Sequence, residues 1–477
     1  MPQGFDQTLD FYISPVTDAV SSVIFYSVTV AGVEFPLIVM WLLAAGLIFT
    51  WYFRFINLRL FAHAIDIVRG KYDDPNEPGE VSHFQALTAA LSGTVGLGNI
   101  AGVAVAIQMG GPGATFWMIL AGFLGMSTKF VECTLGVKYR IIGANNEVFG
   151  GPMYYLQAGL QKTFLKKAST FLAFFFSAMC IGGALGGGNL FQSNQATAQL
   201  IYVTGGVNSF LSDKAWLVGL CFSVLCAAVI FGGMKRIANV TDKLVPLMCG
   251  IYLIAGLVVL GFHFNMIPET FYKIITSAFT WESATGGCVG AMVSGLRRAS
   301  FSNESGIGSS PIAHATVKTN KPITEGLVSL LEPFIDTVVI CTMTALIVVI
   351  TGVYTQEAHD GVALTSASFA SVLPWFPFVL SVVVILFAFS TMISWSYYGL
   401  RAWNFIFGTS TRSSNVYKFI FCGFTILGAS MNFSSVIGFS DAMIFAMAIP
   451  NIIGLYLLAP EVKEDLAEYL KELKSNK

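Results

Sequence analysis

Long apolar runs separated by short polar ones recur along this chain from about residue 32 to residue 458. A helix needs about 20 mostly apolar residues to cross the hydrocarbon core of a bilayer. Runs of that kind lie near 32–55, 84–108, 114–136, 169–200, 215–233, 239–262, 271–296, 325–352, 374–403, 416–431 and 434–458. They predict an all-α polytopic membrane protein with about eleven transmembrane helices. The longest polar stretches, 57–82, 140–167 and 297–324, leave no room for a soluble domain. From Pro460 onward the pattern turns amphipathic and reads as a short helical, solvated tail.

Two of the runs carry clusters that a plain membrane helix does not need. The second span contains Ser92-Gly93-Thr94-Val95-Gly96-Leu97-Gly98-Asn99. A continuous helix there loses about 1 kcal/mol per glycine relative to alanine and places polar groups at mid-membrane. An unwound turn explains both features. Free N–H groups opening its second half can hold a carboxylate, and free carbonyls closing its first half can hold Na+. The seventh span contains Thr285-Gly286-Gly287-Cys288-Val289-Gly290, a second such cluster. These spans are five apart, so repeats beginning at each run through the membrane in opposite senses. Two interrupted helices at matching places in inverted halves are the sequence pointer to a transport site. The expected divisions are 1–82 (N-terminus, extra helix and loop), 83–268 and 269–458 (two five-helix repeats) and 459–477 (tail).

Charge adds an orientation. Residues 1–53 hold no lysine or arginine, and of the 26 in the chain only Lys214 and Lys273 fall on the same side as that end. The other 24, with Arg297 and Arg298 counted in the loop after the seventh span, fall on the opposite side. The positive-inside rule then places the N-terminus outside and the C-terminus in the cytoplasm of a cell with this protein in its inner membrane. Composition agrees with lipid as the solvent: 55% hydrophobic, 11% charged and a net charge of −1, with a mean hydropathy of +0.70. No basic tract suggests nucleic acid, and the eight cysteines are scattered through apolar stretches with no metal-ligand spacing.

Candidate chemistry is sparse. In the ninth span Ser390 and Thr391 adjoin among Val, Leu, Ile and Phe, and two hydroxyls joined to carbonyls of the second span make an oxygen cage suited to Na+. The alternative is that each hydroxyl bonds its own helix at i−4. Asn189 and Gln192 share a face of the fourth span and either meet a zwitterion's charged ends or bind helices together. Glu132, Glu332, Asp336 and Asp441 lie within or near spans; three are expected near helix ends, with Glu132 beside Lys129 or a loop arginine, and Asp336 deeper. No zinc-protease, serine-hydrolase or phosphate-loop pattern points to an enzyme, and two local breaks do not make a channel's continuous polar stripe.

Three blocks resemble the alanine or glycine:cation symporter family, the sodium:alanine symporters. They are Gly96–Ala104 continuing into Gly110–Ala114 and Lys129–Glu132; Gly150–Tyr155; and Phe301–Pro311. The resemblance covers nearly the whole chain. It implies a LeuT-type core of five-plus-five inverted helices after one extra helix, two of them unwound at mid-membrane. It also implies symport of alanine or glycine with Na+, the alternative being a proton-coupled or exchange carrier of another small neutral amino acid. No obligatory protein partner is implied. Carried over, Thr94, Gly96, Gly98 and Asn99 line the amino-acid site, Gln192 supplies a polar contact, and Gly286, Gly287 and Gly290 face the substrate from the other broken helix. Ser390 and Thr391 complete a Na+ site with carbonyls near Ser92 and Val95. The run Gly182–Gly188 is richer in glycine than the family pattern and implies a looser fourth span. The block Ser300–Pro311 is expected in a cytoplasmic loop, with Glu304 against Arg297 or Arg298, as a gate or a fold-locking turn.

Overall fold

A computed structural model of the chain describes residue 15 and residues 17–30, 33–74, 76–143, 146–280, 287–355 and 360–475. Apart from two short antiparallel pairs, Ser27–Val30 with Val33–Pro36 and Ile141–Ile142 with Val148–Phe149, the elements are helical. Among the described residues, seven helices are long and apolar enough to span a bilayer, or eight if one bent pair counts as a single span. The expected number of about eleven also includes the shorter Leu37–Tyr52, the helix Thr411–Ser430 and the segment around Gly287–Asn303.

The bent pair is the second span. His83–Thr94 starts on a capping box: Ser82 Oγ accepts from Gln85 N at 3.2 Å, and Gln85 Oε1 accepts from Ser82 N at 3.3 Å. The helix stops at Val95 and resumes as Gly98–Gly110, bent by 51° from the first half. The helix Ala114–Lys138 runs alongside, about 37 Å long at 1.5 Å per residue. Its buried glycines meet the other discontinuous segment closely, Gly125 against Ser305 and Gly136 against Pro311. With lipid as solvent there is little hydrophobic drive between helices, so close approach through small residues supplies the packing.

Over the described part of the glycine cluster, residues 287–290, the chain is the start of a helix and not a break, while Thr285 and Gly286 lie outside the described residues. A continuous helix runs Gly287–Asn303, and the chain then unwinds over Glu304–Ser309 before the short helix Ser310–His314. Glu304, Gly306 and Gly308 there have φ of 56°, 87° and 92°. The block expected in a cytoplasmic loop is therefore buried inside the bundle, where irregular backbone is tolerated only because protein surrounds it. A Cβ on Gly308 would stand 2.8 Å from Pro152 and 2.9 Å from Asn451 and Phe176, in a left-handed backbone. Gly308→Ala is expected to cost about 3 kcal/mol, read as a lowered thermal unfolding midpoint in detergent.

Three further expectations are corrected. The glycines 182–188 do not loosen the fourth span. A π-helical turn, Gly186–Leu190, joins Ser169–Leu185 to Phe191–Val203, and the glycines admit Met443, Met447, Ile444 and Trp395 against the backbone. The tail from Pro460 is no separate helix but the end of Phe433–Ser475, which passes through Pro450 and Pro460. It is fastened to the basic end of the bundle: Lys138 reaches Asp465 at 2.7 Å, and Tyr139 donates to Glu461 at 2.7 Å. Burial and that carboxylate push the Tyr139 hydroxyl well above the usual phenol range, so it remains a donor. Finally, Glu132 does not pair with Lys129. It accepts from Asn451, and Lys129 pairs with Glu332 at 3.1 Å.

Candidate functional site

In an α-helix each N–H bonds the carbonyl four residues back, so a break is defined by where those donors go. Gly96 N bonds Thr94 O at 2.9 Å and Asn99 Oδ1 at 2.8 Å in place of Ser92 O. Leu97 N bonds Gln192 Oε1 at 3.0 Å, and Asn99 N bonds Gly96 O at 3.2 Å in place of Val95 O. The carbonyls of Ser92 and Val95 are thereby released from the helical ladder. Two side-chain amide oxygens, those of Asn99 and Gln192, hold the backbone donors of the break. Gln192 is itself fixed by donating to Gly187 O at 2.9 Å.

The helix Phe376–Phe407 brings its hydroxyls to the same place. Ser92 Oγ donates to Ser390 O at 2.6 Å and Ser394 Oγ donates to Ala89 O at 2.9 Å, so the two helices are stapled at two points just before the break. Ser390 Oγ donates to Phe387 O at 2.9 Å, which leaves its lone pairs available. Thr391 Oγ1 is fully buried and, among the described residues, has no hydrogen-bond partner, and a Cβ on Gly96 would collide with it. A buried hydroxyl without a partner costs about 1–3 kcal/mol. Its position beside released carbonyls fits an oxygen ligand for a hard cation such as Na+. Ser92 thus bonds Ser390, and Thr391 lies against Gly96, the residue after Val95.

The second discontinuity closes the other side. Phe301 lies 3.5 Å from where a Gly98 Cβ would stand and packs edge-on against Phe191, centroids 5.3 Å apart. Ser302 Oγ donates to Asp336 at 3.0 Å, and Asn99 Nδ2 donates to the Asp336 carboxylate and, at 3.2 Å, to its carbonyl. Asp336, from the π-helical turn Phe334–Cys341, therefore ties both breaks together. Glu304 accepts from Ser309 and, at 3.1 Å, from Trp395 Nε1. It does not meet Arg297 or Arg298, which both pair with Asp441, Arg297 at 2.8 Å.

That pairing explains why Phe301, Ser302 and Glu304 escaped the sequence reading. Two adjacent arginines look like the end of a span. Here the helix runs on through them, because Asp441 balances them and the Phe25 and Phe301 rings lie 4.1 and 5.3 Å from their guanidinium carbons. The readable signal was the run of polar residues and glycines at 302–309. Of the other expected positions, Thr94 and Gly98 lie at the first break, whereas Asn189 donates to Phe421 O at 2.7 Å on a neighbouring helix. Ser193 and Asn194 bond carbonyls of that same helix, so this face of the fourth span binds helices together. Gly287 and Gly290 sit in the continuous helix, Gly290 about 16 Å before Phe301 along the axis. Gly286 lies outside the described residues.

Comparison with known proteins bears on the family and the fold. The profile of the sodium:alanine symporter family matches residues 18–477. The chain is similar to the sodium/alanine symporter AgcS of Methanococcus maripaludis, 37% identical over 445 residues, which are 92% of this chain and 95% of that protein. It is also similar to the probable sodium/glutamine symporter GlnT of Bacillus subtilis, 32% identical over 92% of this chain and 89% of that one. Among solved structures, MhsT in complex with L-phenylalanine aligns with a TM-score of 0.56 at 15% identity, over 80% of this chain and 89% of that chain. At that identity the likeness concerns the fold alone, which is of the LeuT type.

Proposed function

Because the chain belongs to the sodium:alanine symporter family, we propose that it carries alanine or glycine into the cell together with Na+ by alternating access. It is a multi-pass membrane transporter of the LeuT fold and not an enzyme. The observation that carries the proposal is the partnerless Thr391 hydroxyl, buried against Gly96 where the first discontinuity releases two carbonyls.

Na+ is held by the Ser92 and Val95 carbonyls and the Ser390 and Thr391 hydroxyls, which braces the unwound segment against the helix Phe376–Phe407. The substrate carboxylate takes the backbone donors between Gly96 and Gly98 that Asn99 and Gln192 otherwise occupy. The ammonium meets side-chain oxygens at Ser302 and carbonyls of the second discontinuity. Phe301, Trp395 and Ile444 crowd the glycines of the fourth span beside this point and favour a small side chain. The relative named for glutamine makes these walls the place where substrate size is set. Each ligand raises the other's affinity by the same factor, as linkage requires. The repeats 83–268 and 269–458 rock against each other, with the basic end in the cytoplasm and the N-terminus outside the inner membrane.

The test is uptake of labelled alanine into proteoliposomes with an inward Na+ gradient, compared with choline. Thr391→Ala is expected to raise the half-saturating Na+ concentration about tenfold, the equivalent of about 1.4 kcal/mol. Uptake indifferent to Na+, in wild type and variant alike, would select the proton-coupled or exchange carrier.

A further inference from the structure

The basic end of the bundle holds a line of titratable groups that the transport cycle above does not use. Glu325 lies buried between two histidines, its Oε2 on His83 Nδ1 and its Oε1 on His314 Nδ1. His314 Nε2 faces Glu332 at 3.4 Å. Glu332 in turn takes Lys129 at 3.1 Å and Ser310 Oγ at 2.6 Å. At the other end His83 Nε2 lies 3.9 Å from Asp73, whose side chain is 36% exposed, whereas His83 is 2% exposed. Asp73 lines an open cavity of about 200 Å3 with Asp74, Glu80, Ser82, Gln85 and Lys318.

Donor chemistry assigns the charges. An imidazole with a carboxylate on each nitrogen must donate from both, so His314 is an imidazolium. Glu325 and Glu332 are then balanced by His314 and Lys129, and His83 completes the line as a neutral donor. A proton added to His83 sits between Glu325 and Asp73 and strengthens both contacts. Among the described residues the cations facing it are His314, whose charge opposes the added proton, and Arg140, which is engaged nearby by the carbonyls of Pro78, Ala315 and Thr319 at 2.6–2.9 Å.

His83 is also the first residue of the first discontinuous helix. The strand of chain before it is tied to the exit of the second discontinuity: Glu80 N donates to Thr316 O at 2.7 Å and Lys318 N to Val81 O at 2.8 Å. The group that gains the proton thus stands where the basic-end halves of both broken helices are joined.

We infer that His83, held between Glu325 and the exposed Asp73, is a proton-binding site that latches the basic-end half of the first discontinuous helix shut when it is loaded. Acid on that side then holds the site closed toward it, and loss of the proton frees the half-helix His83–Thr94 to move. The consequence for transport rests on the symport proposed above; the latch itself does not.

The experiment is hydrogen–deuterium exchange of the full chain in nanodiscs at pH 6 and pH 8, corrected for the intrinsic chemical rate, read on peptides covering 83–94. Exchange is expected to be about tenfold slower at pH 6, because a proton bound more tightly in the latched than in the free state stabilises the latched one. His83→Gln should remove the difference, and Asp73→Asn, a change at the rim of an open cavity, should reduce it. Equal corrected exchange at both pH values in the wild type, or a difference that survives His83→Gln, overturns the latch. The same nanodisc-competent protein is assayed for alanine uptake. Absent uptake with intact pH-dependent protection means the latch stands and the transport reading fails. Normal uptake without that protection means the reverse.

Discussion

Gly96→Ala is expected to fold, reach the membrane and lose uptake by at least about a hundredfold. The added methyl meets no helical backbone, because the ladder is already broken at this residue. It collides instead with Thr391 Oγ1 and stands 3.1 Å from Gln192 Oε1, the groups that close the cation cage and hold the Leu97 amide. A displacement of about 1 Å in a preorganised site is enough for a loss of that size. The informative comparison is Gly96→Ala with Thr391→Ser, which keeps the hydroxyl but, without the β-branch, leaves it free to turn away from the added methyl. Partial return of Na+-dependent uptake in the double variant would place the clash at the cage. Full activity of Gly96→Ala alone would remove the cage from the mechanism.

Lys129→Met is expected to destabilise the protein by about 3–5 kcal/mol, the cost of breaking a buried ion pair from one side. Lys129 and Glu332 are both fully buried, and losing the ammonium leaves Glu332 with His314 and Ser310 as its remaining partners. The readout is the thermal unfolding midpoint in detergent, with yield of monodisperse protein as a second measure. Lys129→Met combined with Glu332→Leu should recover much of the loss, since no unpaired carboxylate is left. A single variant as stable as wild type would mean that Glu332 is already neutral.

Much of the architecture was legible because lipid imposes a simple rule. Each crossing must be a long apolar run with its backbone paired within itself, and the first discontinuity showed as three glycines and several polar residues where such a run should be unbroken. Ser390 and Thr391 could be matched with carbonyls of the second span from their chemistry, the family resemblance pointing to Ser92 and Val95, and the structure bonds Ser92 to Ser390 and packs Thr391 against Gly96.

The second discontinuity was misplaced for an equally physical reason. Arg297 and Arg298 carry a prohibitive cost in lipid unless something neutralises them, and their partner, Asp441, lies 143 residues from Arg298 along the chain. Without that pairing in view, the glycine cluster at 285–290 was the better candidate and the true break, Glu304–Ser309, read as a loop. Asn189 and Gln192 show the same limit over three residues. Both are amides on one helix face, yet one bonds Phe421 on a neighbouring helix and the other caps Leu97 in the break.

By itself, then, the sequence determined the membrane class and the first broken helix, which follow from local composition and spacing, and the family, which follows from the resemblance of three motif blocks. Tertiary structure alone decided where the second helix breaks, which amide serves the site and how His83, Glu325, His314, Glu332 and Lys129 form one line. Charge compensation and hydrogen-bond satisfaction in a low-dielectric interior are settled between residues distant in the chain, and local pattern does not encode those partners.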